Sequence, residues 1–207
     1  MPNTNIFFMP ASTKQWCDLA LELQAKGFTA AIWMGDWRFD EFGRKNFPDA
    51  EVLNLVDFHI NLSKRPVRFA PSAEYLRSRA FIQLKNETLK LMDRQDETRL
   101  FGRLERDAYF YSMFNHLYSS IVERKIGALV VGEAPHHAAQ LIAYKICESL
   151  GIPTYNMLAN SYVPLIQVNR SIVGAPIAAA GKRDLSLHFE EIQKAFDAYR
   201  DGIPTPL

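Results

Sequence analysis

The sequence predicts an α/β chain with a Rossmann-like open parallel sheet, flanking helices and a helical-hairpin insertion over about 72–125. Three observations carry this. The first 35 residues read strand, helix, strand. A further apolar strand, Ala128-Leu-Val-Val131, stops at Gly132-Glu133-Ala134-Pro135 and runs at once into a helix. Between these halves lies a long charged stretch whose apolar residues recur at three-and-four spacing. A strand–helix–strand unit implies parallel pairing with a right-handed crossover.

Asn5-Ile-Phe-Phe-Met9 is the first strand, ended by Pro10. Ser12 is placed to N-cap the next helix, where Trp16, Leu19, Ala20 and Leu23 recur at helical spacing. Gly27 stops that helix. Thr29 to Met34 is the second strand, closed by Gly35-Asp36. Residues 37 to 50 are polar and aromatic, with turn chemistry at Gly43 and Pro48. Glu51 to Val56 is a third strand, and residues 59 to 71 form an irregular basic loop holding Lys64, Arg65 and Arg68.

From Ser72 to Lys125 two helices are expected, broken near Arg94–Arg99 and Gly102. Phe81, Leu84, Thr88, Leu91 and Met92 trace one stripe, and Tyr109, Met113, Leu117, Ile121 and Val122 the other. The pair reads as a packing and oligomerisation element. A helix from His136 to Ser149 is closed by Gly151, and Pro153 to Leu158 is the next strand. Val163 to Val173 supplies an edge strand or hairpin arm, and Leu187 to Tyr199 a final amphipathic helix. The 207 residues read as one domain.

Composition narrows the function. A net charge of +1 gives no electrostatic case for a nucleic-acid partner. The two cysteines, Cys17 and Cys147, fall on apolar helix faces, as buried thiols of a reducing compartment do. There is no zinc-type Cys/His spacing, no secretory signal pattern and no apolar run long enough to span a membrane. A soluble cytoplasmic protein is expected, with room for docking at the inner face of the membrane.

In open α/β sheets, ligands bind outside the carboxyl ends of the strands. Glu133, His136 and His137 fall there. A helix start favours anions and the neutral form of a nearby imidazole, which can then act as a base or hydrogen-bond a hydroxyl. The plain alternative is a capping histidine beside a solvated one. Asp36 can bind hydroxyls and Trp37 can stack on a sugar ring; turn chemistry and partial core burial are their alternatives. Ser12 lies at the end of the first strand, and Asn169 and Arg170 follow a strand-like stretch, within reach of the same cleft or in an exposed turn. No Gly-x-Gly-x-x-Gly follows a strand, so no dinucleotide cofactor is indicated, and His136-His137-Ala-Ala-Gln140 lacks the zincin spacing.

Leu91-Met-Asp-Arg94, then Glu105-Arg106 and Tyr109, the strand Ala128–Val131, Pro135-His136, Ala143-Tyr144 and Leu150-Gly-Ile-Pro153 occur in an order that resembles bacterial capsular-polysaccharide biosynthesis proteins, a glycosyltransferase-like group. The likeness covers roughly residues 85 to 160. It departs from the group after Pro135-His136, where His137-Ala-Ala-Gln140 stands in place of a Glu-Gly pair and an acid. The resemblance implies the N-terminal, acceptor-side domain of a two-domain (GT-B-like) transferase. His136 would be the base and Glu133 its orienting carboxylate, with a saccharide or lipid-linked saccharide acceptor and a nucleotide sugar as co-substrate. Members of the group commonly continue into a second α/β domain, so a truncated N-terminal domain or a short natural relative is expected. Homo-oligomerisation fits either. The competing reading is a non-catalytic saccharide- or nucleotide-binding module. A small-molecule hydrolase is a third, lacking a Gly-x-Ser-x-Gly elbow.

Overall fold

The structure, a computed structural model, describes residues 4–11, 14–35, 37–54, 67–98, 100–159 and 166–169. Its six strands are β1 (Asn5–Ala11), β2 (Thr29–Gly35), β3 (Glu51–Asn54), β4 (Ala128–Val131), β5 (Thr154–Ala159) and β6 (Ile166–Asn169). They form one sheet in the order β3-β2-β1-β4-β5-β6. The first five run parallel, and β6 pairs antiparallel with β5. The strand order reverses direction between β1 and β4, so the switch point lies beyond Met9 and Val131, which pair in register.

Strand residues alternate between faces, and both faces are covered. Phe7, Met9, Ile32, Met34, Leu53, Leu129 and Val131 belong to one core. Over it lie α3 (Ala73–Arg77), α4 (Arg79–Gln95), α5 (Arg103–Glu123) and α6 (Ala138–Ser149). Ile6, Phe8, Ala30, Trp33 and Val130 form the other core, under α1 (Lys14–Ala25) and α2 (Trp37–Asn46).

The stretch expected as an insertion is therefore the crossover from β3 to β4, and it builds one helical layer. Phe81, Leu84, Thr88, Leu91 and Met92 are buried as their spacing requires, as are Met113, Leu117 and Ile121. Ser78 caps α4, its Oγ accepting from the Phe81 N–H at 3.1 Å. Phe81 and Phe114 meet edge-on at 4.9 Å between ring centroids, and Tyr75 stacks on Phe114.

Two expectations need correction here. Residues 37 to 46 form α2 where turns were expected. Gly43 is not a turn residue: a Cβ there would stand 2.6 Å from the Trp33 ring, so glycine lets α2 approach the sheet. Secondly, α6 begins at Ala138, with His137 as its N-cap, two residues later than expected. Gly27 and Gly151 do end helices, at φ +87° and +69°. Cys17 and Cys147 are buried, and desolvation pushes their thiols up to about 11 and about 12, so both stay protonated.

Candidate functional site

At the carboxyl edge, β4 ends and the chain turns through Gly132–His137 into α6. Gly132 packs against the Trp16 indole of α1; a Cβ would fall 2.6 Å from that ring. The glycine thus lets this turn lie close against α1, and Glu133, His136 and His137 follow it along the chain.

Gln140 organises this turn. It is fully buried, and its Oε1 accepts from the backbone N–H of both His136 and His137 at 3.0 Å. Its Nε2 donates to Glu133 Oε1 at 3.1 Å. This is the glutamine half of a capping box, extended to hold a carboxylate. Gln95, at the end of α4, reaches across from the other side. Its Nε2 donates to the His136 carbonyl at 2.7 Å and lies 3.3 Å from His137 Nδ1.

These bonds assign the tautomers of the neutral rings. His136 Nδ1 lies 3.2 Å from the Ala134 carbonyl, which can only accept, so Nδ1 carries the proton. His136 Nε2 is then left with its lone pair. Gln95 Nε2 can only donate, so His137 Nδ1 accepts and the proton sits on its Nε2. Glu133 Oε1 lies 3.6 Å from His136 Nδ1, too far for a hydrogen bond but close enough to stabilise an imidazolium. The His136 and Glu133 side chains are 50% and 44% exposed, so ligand can reach them. The two imidazoles lie 4.2 Å apart. Burial, then the His136 ring, lower the His137 pKa from 6.5, against an opposing pull from Glu133. The neutral form of His137 is thereby favoured.

The helix start is a poorer anion site than its position suggests. Gln140 Oε1 already occupies two of the turn's N–H groups, and the Glu133 carboxylate stands beside them. The arrangement suits a neutral hydroxylated group: a lone-pair nitrogen, a carboxylate oxygen and an N–H of His137.

The other expected site residues are placed less closely together. Trp37 opens α2 after β2, at the same edge of the sheet, and is 71% exposed. Partial core burial does not apply to it, and its ring is open for stacking. Asn169 closes β6, where it pairs with Asn156 and is buried, so the exposed turn does not apply to it. Ser12, Asp36 and Arg170 lie outside the described residues, as do Lys64 and Arg65. Arg68 is tied to α5: its guanidinium pairs with Glu123 at 2.6 Å and its N–H donates to Ser119 Oγ.

Sequence reasoning missed Gln140 and Gln95. The spacing His137-x-x-Gln140 is a capping signal that could have found the first. It also missed Asn156, which is fully buried in β5 level with Val131, both amide atoms lacking a hydrogen-bond partner among the described residues.

A second constellation lies at the amino edge. His116 Nε2 is 3.1 Å from Glu51 Oε1, Arg124 Nε is 3.1 Å from Glu51 Oε2, and Ser120 Oγ is 3.4 Å from His116 Nε2. Serine and glutamate meet the same ring nitrogen, so this is not a relay of the Ser–His–acid kind, which uses opposite nitrogens. It fastens α5 to the start of β3.

Among the described residues, no group of three or more His, Cys, Asp or Glu is placed to hold a metal. No described helix is long and apolar enough to cross a membrane. No protein-family model matches the chain, and no curated protein matches it.

Proposed function

We propose that this chain is a saccharide-handling α/β domain, the acceptor side of a glycosyltransferase-like system for surface polysaccharide, with the acceptor hydroxyl received at His136. The observation that supports this best is the fixed His136 ring. Its Nδ1 is committed to the Ala134 carbonyl. Its Nε2 is therefore presented on an accessible surface at the carboxyl edge, where open α/β sheets bind ligands. A hydroxyl donating to that nitrogen passes its proton there as its oxygen bonds to the anomeric carbon of the nucleotide sugar, whose bond to the phosphate breaks so that the nucleotide leaves; Glu133 stabilises the imidazolium that forms. Trp37 offers a sugar-stacking surface at the same edge. The order of motifs from Leu91 to Pro153 that resembles capsule biosynthesis proteins agrees with this reading.

The non-catalytic module is the second reading. Glu133 Oε1 is already engaged by Gln140 and stands outside hydrogen-bonding distance of His136, a geometry that serves binding without proton transfer.

Calorimetry with a panel of neutral and uronate oligosaccharides, alone and with nucleotide sugars, separates the two. Binding that falls at least tenfold in His136→Ala, with the fold intact, supports the site. Transfer or nucleotide-sugar turnover that His136→Ala abolishes while saccharide still binds supports the base. Saccharide binding without turnover supports the module. An affinity unchanged by His136→Ala removes this histidine from either role.

A further inference from the structure

Between the end of α4, the start of α5 and the start of α6 lies a cleft of about 850 Å³, a volume suited to a small molecule. Its apolar lining is Met92, Phe101, Tyr109 and Ala138. Its charged lining is one-sided. Among the described residues, Asp96, Glu97 and Glu105 stand against Arg106 as the lone cation. That cation is already taken twice: Nη1 lies 2.6 Å from Asp93 and Nη2 lies 2.8 Å from Asp96. Asp96 also accepts from the N–H groups of Leu100 and Phe101 and from the Thr98 hydroxyl. Glu105 accepts from the Gly102 N–H at 2.6 Å. Arg103, near the same turn, is drawn to Asp107 at 3.5 Å, and Arg99 lies outside the described residues.

Glu97 is the carboxylate left over. It is exposed, it lines the cleft, and it has no hydrogen bond or ion pair among the described residues. Aromatic surface lines the same space: Phe101 is 61% exposed and Tyr109 is half-buried. These features discriminate among ligands. An anion meets an excess of negative charge and finds the guanidinium occupied. A neutral apolar molecule covers the rings but strips water from a carboxylate and gives nothing in exchange. A cation on an apolar body meets both demands. Its charge pairs with the carboxylate and is attracted to the negative faces of the rings, and its body covers Met92 and Ala138.

We propose that this cleft binds a small organic cation, an ammonium group on an aromatic or alkyl body, with Glu97 as its counter-ion. Gln95 lines the cleft as well, and its Nε2 donates to the His136 carbonyl at 2.7 Å, so the cation site adjoins the His136 turn. It stands whatever that turn binds.

The test is a heteronuclear NMR titration of the whole chain with phenethylammonium, phenethyl alcohol, hydrocinnamate and ethylammonium. They supply the same body with a positive, neutral or negative head, and the head without the body. Phenethylammonium is expected to move the amides of Glu97, Phe101, Tyr109 and Ala138. It should bind about fivefold more tightly than the alcohol, the scale of an exposed ion pair joined by a cation–π contact. Ethylammonium and hydrocinnamate should bind more weakly than either. Added salt should erode the advantage of the amine and leave the alcohol unchanged. Glu97→Gln, at an exposed position, should bring amine and alcohol to equal affinity, and a well-dispersed spectrum confirms that the variant folds. Equal affinity for amine and alcohol in the parent chain overturns the proposal, as does an amine preference that survives Glu97→Gln. Shifts centred on Glu133 and His136 in place of Glu97 and Phe101 assign the cation to the other carboxylate and overturn it too, as does an absence of binding by the amine.

Discussion

Each edge of the sheet carries a glutamate and a histidine, and the two pairs are built in opposite ways. At the amino edge, Glu51 receives His116 and Arg124 at 3.1 Å each, and the His116 side chain is only 5% exposed. At the carboxyl edge, Glu133 and His136 stand 3.6 Å apart and are about half exposed. The first pair comes from β3 and α5, distant in sequence, and joins them. The second comes from one turn and joins nothing; the turn is held instead by Gln140 and Gln95. Identical side-chain chemistry is a fastening in one place and an accessible turn in the other. What distinguishes them is where the remaining valences go, inward to other elements or outward to solvent.

The largest effect that would break this contrast is at the amino edge. Glu51→Ala leaves His116 and Arg124 without their acceptor in a partly desolvated site, and is expected to cost ~3 kcal/mol in urea unfolding. A loss comparable to that of an exposed substitution would show that Glu51 is no fastening. Gln140→Ala comes next. It frees the N–H groups of His136 and His137 and releases Glu133, for about 2 kcal/mol of stability. It should also weaken ligand binding, since the imidazoles lose their fixed placement. Stability lost with binding intact would separate the capping role of Gln140 from its positioning role.

Acid should unsettle the two edges in different windows. Burial, then the neighbouring His136 ring, depress the His137 pKa from 6.5. The neutral ring is thus favoured in the folded state, and stability declines as pH falls below about 6.5 toward the folded value. Burial pushes the Glu51 carboxyl up, but the hydrogen bond and charge of His116, with Ser120 and Arg124, outweigh it and hold it below its ordinary 4.5. Its contribution is complete above pH 4.5 and is lost only as pH falls through the folded value. Denaturation midpoints across pH 3 to 8 should show two limbs. His137→Asn should flatten the upper limb and Glu51→Gln the lower; a single limb removed by either variant would contradict the assignment. The smallest effect on stability is that of His136→Ala, expected within about 0.5 kcal/mol of the parent because the ring is half exposed and fastens nothing. A drop of several kcal/mol would make His136 structural and remove the contrast.

Much of this was legible in the chain. The apolar runs of β1, β2 and β4 announce strands buried on both sides, and the stripes of α4 and α5 predict their buried faces. The turn at Pro135-His136-His137 follows from a strand meeting a helix start. Other features depend on tertiary contact. Gly43 reads as a turn until Trp33 is seen packed against it, and that is why α2 escaped the sequence. Glu51 and His116 are unremarkable in their own segments and acquire meaning only where β3 and α5 meet. Asn169 follows a strand-like stretch in the chain, but its antiparallel pairing with Asn156 is a property of the sheet.

The three tryptophans also give the molecule an optical readout of its own edges. Trp16 against Gly132 and Trp33 against Gly43 are buried indoles wedged on glycine, while Trp37 stands 71% exposed at the carboxyl edge. Native emission should therefore contain a blue, quencher-resistant component from the first two and a red component, open to iodide or acrylamide, from Trp37. A sugar laid against Trp37 would shield that red component and leave the blue one untouched, so occupancy of the carboxyl edge can be followed without a label.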